Sequence, residues 1–512
     1  MKVPLRLLAA AAALPPLPLS ILLASTPDEA TAMSAASAAT PFRRIVPPFG
    51  SAATIPTPLR GGTSSPLFSA SGALASAEES SGGSVASELP PDSSKRAIVV
   101  GGGPVGLAAA LTLASPPHSY SVTLFESDPE DASALKYDAT RAYLYNVNAR
   151  GQVFTKQFPS LQEKLEERGV SGMGRGLRIV PADPGVPIPE HSAFRATPVG
   201  KGDSTVQSYW LPRHEMVKLM YEVVMEHEEK RMAEGANTKM GRIEYMSGME
   251  CVGLNPVMSG AEGDSAKSGE RVAISVKDKE TGEVTSHVAE LVVGCDGFNS
   301  KVRDCLLNGK DAFASWSGFN HKKFKVRKWK SPATDLRIKV LQFPPKFKIP
   351  DVNGTVHTTT STTPYAIRSK YTAPTTFISL GLLPMIDDSA IRPINTITRP
   401  NHAIWNIDNG AEMKEWFKEA FPRLNFSGDG DSLVSDGEWE RFAKAQGTRF
   451  PHCQYSPGLV ARSAGGDCGV ALCGDAVHAF PPDIGQGINA GLGDVVALDR
   501  ALRGKDVRTG EG

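Results

Sequence analysis

The sequence predicts an α/β protein: a doubly wound domain, interrupted by a second, mainly antiparallel domain of strands and helices. Three observations predict it. A short apolar strand, Ala97 to Val100, runs into Gly101-x-Gly103-x-x-Gly106 and an Ala/Leu-rich helix, as in a β-α-β unit. Two further apolar strands end on short acidic motifs, Leu291 to Val293 before Asp296-Gly297 and Val470 to Cys473 before Gly474-Asp475. Between them, Lys310 to Ser463 changes character, with alternating strands such as Leu336 to Phe343 and Thr376 to Leu383, frequent Pro and Thr, and no further glycine-rich turn.

At 512 residues the chain has room for two domains and sizeable cores. Lys plus Arg and Asp plus Glu are both 55, so the net charge is zero and no field suited to nucleic acid is expected. The six cysteines show no C-x-x-C pair and no metal-ligand spacing, so neither a disulfide framework nor a metal site is expected; Cys295 and Cys473 read as buried thiols in apolar strands.

The chain opens with Lys2 and Arg6 and an apolar run, Leu7 to Leu23, broken by Pro15, Pro16 and Pro18. Residues 1–25 read as a signal-type segment and not as a membrane span. Residues 26–94 are low-complexity: Thr31 to Ala77 contains no Asp or Glu, and Arg43, Arg44 and Arg60 carry its charge. That is transit-peptide composition. Together the two parts predict delivery to an organelle, a plastid ahead of a mitochondrion, with a mispredicted start codon as the bland alternative.

The glycine turn comes next. Gly101 makes the tight turn, Gly103 lets backbone approach a pyrophosphate, and Gly106 lets the helix pack close to the strand. The helix N-terminus offers free N–H groups and partial positive charge to phosphates. About twenty residues on, the strand Ser121 to Phe125 delivers Glu126, a carboxylate placed to accept from ribose hydroxyls and to repel a 2′-phosphate. Tyr137 to Phe154 interleaves polar residues with Tyr and Val before Arg150-Gly151. His214 to Glu234 reads as a core-facing helix through Met216, Leu219, Met220, Val223 and Val224, with Arg213 at its entry where a dinucleotide would pass.

Val272, Ile274 and Val276 alternate with polar residues, and Ser259 to Glu270 reads as a surface hairpin. Asp296-Gly297 then falls at the carboxyl edge of a buried parallel strand, the edge at which doubly wound sheets hold ligands. In the second domain, Ala411 to Phe421 predicts a helix with Met413, Trp416, Phe417, Ala420 and Phe421 on one stripe, ended by Pro422. Finally a strand delivers Asp475, a Pro-rich loop follows, and Gly485-x-Gly487 opens a helix through Asp494 to Leu502, its glycines admitting a flat ring against backbone. His478 in that loop reads as a structural hydrogen-bonder, with general base as the alternative.

Together these motifs, in this order over Lys95 to Leu502, resemble those of the single-component FAD-dependent aromatic monooxygenases. Within that family the chain is most similar to the kynurenine 3-monooxygenases, through Arg141, Arg150-Gly151, Leu291 to Gly297, Trp416 to Pro422 and Gly485 to Gly491. The resemblance implies a p-hydroxybenzoate hydroxylase-like fold. Its FAD-binding domain would comprise 95–175, 209–310 and 465–512, and its substrate domain 176–208 and 311–464. It implies FAD contacts from Val105, Phe125, Glu126, Ser127, Asp128, Arg141, Asn146, Arg150, Arg213, Asp475, Ile488 and Asn489, beside Gly101, Gly103, Gly106, Asp296, Gly297, Gly485 and Gly487. A carboxylated substrate would meet Tyr209 and either Arg175 or Arg178.

The resemblance further implies that NADPH reduces FAD and that a C4a-hydroperoxide hydroxylates a small aromatic substrate at the expense of O₂. No acid/base residue is implied. Gly493 departs from the family's usual Glu, and Leu492-x-Asp494-Val495 is closer to ubiquinone-biosynthesis hydroxylases. A quinone precursor or an isoprenoid is therefore the alternative substrate, and an inactive flavin-binding protein the alternative of another class. The family's further C-terminal part, which adds substrate contacts and in kynurenine 3-monooxygenases a membrane anchor, is expected to follow Leu502; its lack here leaves the last segment reading as truncated. No membrane-spanning helix is expected in the mature chain as given.

Overall fold

The computed structural model describes residues 95–136, 144–171, 177–190, 207–259, 269–427, 432–482 and 485–504. The expected presequence, Arg141, Arg175 and most of the expected hairpin near residue 265 lie outside them.

A six-stranded sheet carries the glycine turn. Its strands are β1 (Arg96–Val100), β2 (Ser121–Phe125), β3 (Ile243–Met246), β4 (Leu291–Gly294), β5 (Val460–Arg462) and β6 (Gly469–Leu472), in spatial order β5-β6-β4-β1-β2-β3. All neighbours are parallel except the edge pair β5 and β6. Period-two alternation sends β1 to two cores at once. Ala97 and Val99 face one side, where α1 (Pro104–Ala114), α2 (Arg213–Glu234) and α6 (Gly487–Leu502) bring Leu107, Leu111, Met216, Met220, Leu492 and Val495. Ile98 and Val100 face the other.

That second face is closed by an antiparallel meander, Met249–Ser259, Gly269–Asp278 and Val284–Ala289, together with α3 (Lys301–Asn308). Leu254, Val272, Ile274, Val276, Val302 and Leu306 form its core with Val292 and Val470. The sheet is thus covered by helices on one face and mainly by strands on the other. Residues 311–324, which composition assigns to the second domain, put Phe313, Trp316 and Phe324 into this same core. Their aromatic packing against α3 outweighs the change in local composition, and β5 likewise brings the chain back to the first sheet from Val460.

The second sheet has six strands in the order Thr448–Arg449, Arg337–Phe343, Arg392–Thr398, Ser379–Leu382, Tyr365–Arg368, Arg178–Val180. Every pair is antiparallel except the last. One face packs on α4 (Gly410–Ala420) and α5 (Asp436–Lys444), where Phe417 meets Trp439 at 5.0 Å between ring centroids. Met413, Phe417, Ala420 and Phe421 are buried on the expected stripe; Trp416 is half-buried against Tyr371 and His402. Asn409 caps α4 by accepting from the Glu412 N–H, and Ser435 does the same for α5 from Glu438. Among the described residues no helix is long and apolar enough to cross a membrane.

Candidate functional site: a cavity at the carboxyl ends of the parallel strands

The ends of β1, β2, β4 and β6 open on one cavity of about 410 Å³. Parallel strands aim their carboxyl ends the same way, so residues nearly four hundred positions apart meet there. Gly101 takes φ +103°, and a Cβ on it would lie 2.6 Å from the Cys295 carbonyl oxygen. A Cβ on Gly106 would lie 1.8 Å from the Gly101 carbonyl oxygen, so the third glycine is required by the turn itself. At Gly103 a Cβ would meet nothing within 4 Å. Its bare backbone faces open space at the start of α1, which no side chain caps.

Glu126 sits one residue past β2 with both oxygens engaged. Oε2 accepts from the Gly102 N–H at 2.5 Å, and Oε1 from the Asp128 N–H at 2.7 Å and the Ser127 hydroxyl at 3.2 Å. The carboxylate thereby fixes the glycine turn, and Glu126 lines the cavity. Asp296 is more informative. Its Oδ2 accepts from the N–H groups of Lys301 at 2.6 Å and Val302 at 3.0 Å, tying it to the start of α3. Its Oδ1 is buried with no partner among the described residues. Burial pushes this carboxyl above its usual range, against the pull of its hydrogen bonds from Ser300, Val302 and Lys301. A buried acceptor without a donor costs about 1–3 kcal/mol.

At the end of the neighbouring strand, Gly474 (φ +65°) turns β6 into Asp475. Asp475 looks into the cavity, and its enclosing walls raise its carboxyl pKa, opposed by the charges of His478 and Arg213. Arg213, at the N-terminus of α2, hydrogen-bonds the Tyr145 hydroxyl on the cavity wall. Gly487 and Ile488 supply the first turn of α6. Behind them, Asp494 Oδ2 accepts from the Gly474 N–H and lies 2.8 Å from His478 Nε2. Burial opposes charge on His478, but the Asp494 hydrogen bond and charge outweigh it and raise its pKa.

Gly101, Gly103, Val105, Phe125, Glu126, Ser127, Arg213, Asp296, Gly297, Asp475, Gly487 and Ile488 are therefore brought to one cavity. Other expected site residues stand behind it. Gly106 and Gly485 (φ +58°) shape turns. Asp128 gives its N–H to Glu126 and accepts from the Glu130 N–H. Asn489 is a buried clamp, accepting from the Asn148 N–H at 3.0 Å and donating to the Asn146 carbonyl at 2.8 Å. Asn146 thus takes part through its backbone, and Arg150 is exposed.

Of the expected substrate residues, Arg175 lies outside the described residues, and the structure does not bring Tyr209 or Arg178 to this cavity. Tyr209 is buried in the first core, where desolvation and Glu166 raise its hydroxyl pKa. Arg178 lies in the second sheet, 3.1 Å from His357 and donating to the Glu190 carbonyl at 2.8 Å. Tyr145, Cys295, Asn299 and Lys301 line the cavity without having been singled out for it, because nothing in their spacing marks them. Asp494, read in sequence as part of the last helix and of the Leu492-x-Asp494-Val495 stretch, holds the Gly474 turn.

Residues 250–424 and 440–507 match the family model described as the FAD binding domain. The fold is that of a FAD-binding domain in the p-hydroxybenzoate hydroxylase-like arrangement. Among solved structures, the chain resembles the tetrameric form of 2-methyl-3-hydroxypyridine-5-carboxylic acid oxygenase (16% identity, TM-score 0.47, covering 81% of this chain and 84% of that one). It also resembles the flavin-dependent monooxygenase PieE in complex with FAD and substrate (18%, 0.48, 81% and 59%). A third is a probable FAD-dependent monooxygenase from Pseudomonas aeruginosa (17%, 0.43, 80% and 86%). No curated protein sequence matches the chain.

The cavity's residues fit FAD. Gly103 leaves backbone open to a pyrophosphate beside the N-terminus of α1, Glu126 offers acceptors to a ribose, and Asp296 adds a second carboxyl to the lining.

Proposed function

We propose that the protein is a single-component monooxygenase that uses FAD and NADPH to hydroxylate a small aromatic substrate, with L-kynurenine to 3-hydroxykynurenine the reaction to test first. The observation that carries this reading is the convergence of three separate motifs on one cavity. FAD, when bound, would supply electron transfer from NADPH and the activation of O₂. The chain's own residues would bind and orient. Asp296 and Glu126 would accept from hydroxyl groups, the start of α1 would face the pyrophosphate, and Asp475 with Arg213 and Tyr145 would fix the far end of the cofactor. Val105, Ile488 and the glycines would exclude water from it. Residues 1–94 would deliver the protein to an organelle, a plastid first.

The test reconstitutes the full chain with FAD and follows NADPH oxidation with and without L-kynurenine, assaying hydroxylated product and peroxide. Kynurenine-stimulated oxidation with 3-hydroxykynurenine formed supports the full reading. FAD binding without stimulation removes kynurenine. Absence of bound FAD removes the reading altogether.

A further inference from the structure

The two acidic motifs on the cavity share a feature that spacing in the sequence hides. Each is preceded by a cysteine, Cys295 before Asp296-Gly297 and Cys473 before Gly474-Asp475. β4 and β6 are adjacent parallel strands with Gly294 opposite Leu472, and the Cys473 N–H donates to the Gly294 carbonyl at 2.9 Å. Cys295 and Cys473 are therefore the next register pair, on strands about 4.8 Å apart. Disulfides span Cα separations of about 4.4–6.8 Å. The two thiols hydrogen-bond each other.

The pair is asymmetric in access. Cys473 is buried, whereas Cys295 lines the cavity and its Cβ lies 3.5 Å from where a side chain on Gly106 would begin, in the first turn of α1. The hydrogen bond to Cys295, then burial, hold the Cys473 thiol well above its usual range, and its burial leaves the cavity-lining Cys295 as the residue that peroxide entering the cavity meets first.

We propose that Cys295 and Cys473 form an oxidisable dithiol whose exposure to hydrogen peroxide depends on whether the cofactor cavity is filled. The Cys295 thiolate attacks a peroxide oxygen and the O–O bond breaks. The leaving hydroxide takes a proton to become water, and the sulfur becomes a sulfenic acid. The Cys473 thiol then displaces the hydroxyl, forming the S–S bond and a second water. Two thiols lose two electrons and peroxide is reduced to two waters. The bond would stitch together the two loops that carry Asp296 and Asp475. Shielding by FAD rests on the function proposed above; the dithiol itself does not.

The test exposes the full chain, without and with FAD, to hydrogen peroxide, alkylates the remaining thiols and maps the peptides by mass spectrometry. A Cys295–Cys473 linked peptide, reversed by dithiothreitol and forming at least tenfold more slowly with FAD, is the expected result. In Cys473→Ser, a sulfenic acid on Cys295 should accumulate and be trapped by dimedone. No linked peptide, or faster linkage of Cys251 with Cys305, the other hydrogen-bonded thiol pair, overturns the proposal. Linkage that is equally fast with FAD demonstrably bound overturns the shielding. If no FAD binds, the proposed function fails while the linked peptide still decides the dithiol.

Discussion

Asp494→Asn isolates the support beneath the Gly474-Asp475 turn. One oxygen, Asp494 Oδ2, receives the Gly474 N–H at 2.8 Å and faces His478 Nε2 at 2.8 Å, with both side chains largely buried. Asparagine keeps the shape and can still accept one bond, but removes the charge. Hydrogen bonds to charged groups contribute about 1.5–3 kcal/mol against about 1 for neutral ones, so losing charge assistance at two bonds should cost about 2–3 kcal/mol. The cost depends on pH. The folded His478 pKa is raised above its unfolded value, so the ion pair's contribution is full below about pH 6.5 and disappears as pH rises through the folded value. The wild type and variant should therefore differ most near pH 6 and by only about 1 kcal/mol near pH 9.5, where the Gly474 bond alone is weakened. Urea midpoints of both proteins at the two pH values measure this, with amide exchange at Gly474 as the local readout. A gap that stays constant or widens with pH would refute the ion-pair reasoning.

Three further outcomes are expected. Gly106→Ala places a methyl 1.8 Å from the Gly101 carbonyl oxygen, which backbone cannot yield, so the purified variant should bind no FAD by absorbance. Asp296→Ala removes the acceptor for the Lys301 and Val302 N–H groups at a cost of about 1–2 kcal/mol in stability, and should weaken FAD binding at least tenfold in fluorescence titration. Lys339 is buried beside Trp405 and Phe442, and burial, then Arg337, lower its pKa from 10.5 to about 8. Its charged form is thus penalised below about pH 8, by up to about 3 kcal/mol, and the penalty fades towards the unfolded value. Lys339→Met should accordingly raise thermal stability at pH 7 and lose that advantage near pH 10.

The motif-bearing strands could be read in sequence because their signals are local. An apolar run that ends on Gly-x-Gly-x-x-Gly, Asp-Gly or Gly-Asp encodes both a parallel strand and what its carboxyl end presents, and the cavity repeats that pattern residue for residue at Gly101, Glu126, Asp296 and Asp475. The layer covering the second face was less readable. Val272, Ile274 and Val276 announce a half-buried strand, but alternation cannot say that its apolar side meets Ile98 and Val292. Asn489 shows the same limit. Its position in a glycine-rich motif suggests a ligand contact, whereas its side chain is occupied in clamping α6 to the backbone at Asn146 and Asn148. Residue type names a capacity to hydrogen-bond, and only packing decides the partner.

This distinction bears on where specificity lies. The residues that would hold FAD come from strand ends, whose direction the parallel sheet dictates, so motif and position coincide. A substrate site on the second sheet has no such rule, because antiparallel strands end on both edges and alternate residues face opposite sides. Arg178 illustrates the consequence: it is aligned with Tyr365, on the face shared with Tyr365 and Val180, and is engaged by His357 and Glu190. A cation in the expected stretch is thus committed to joining that strand to its neighbours. Arg178→Ala should lower the unfolding midpoint while leaving FAD affinity unchanged. An altered substrate KM with an unchanged midpoint would return Arg178 to the substrate, and with it the carboxylated aromatic that the sequence resemblance implies.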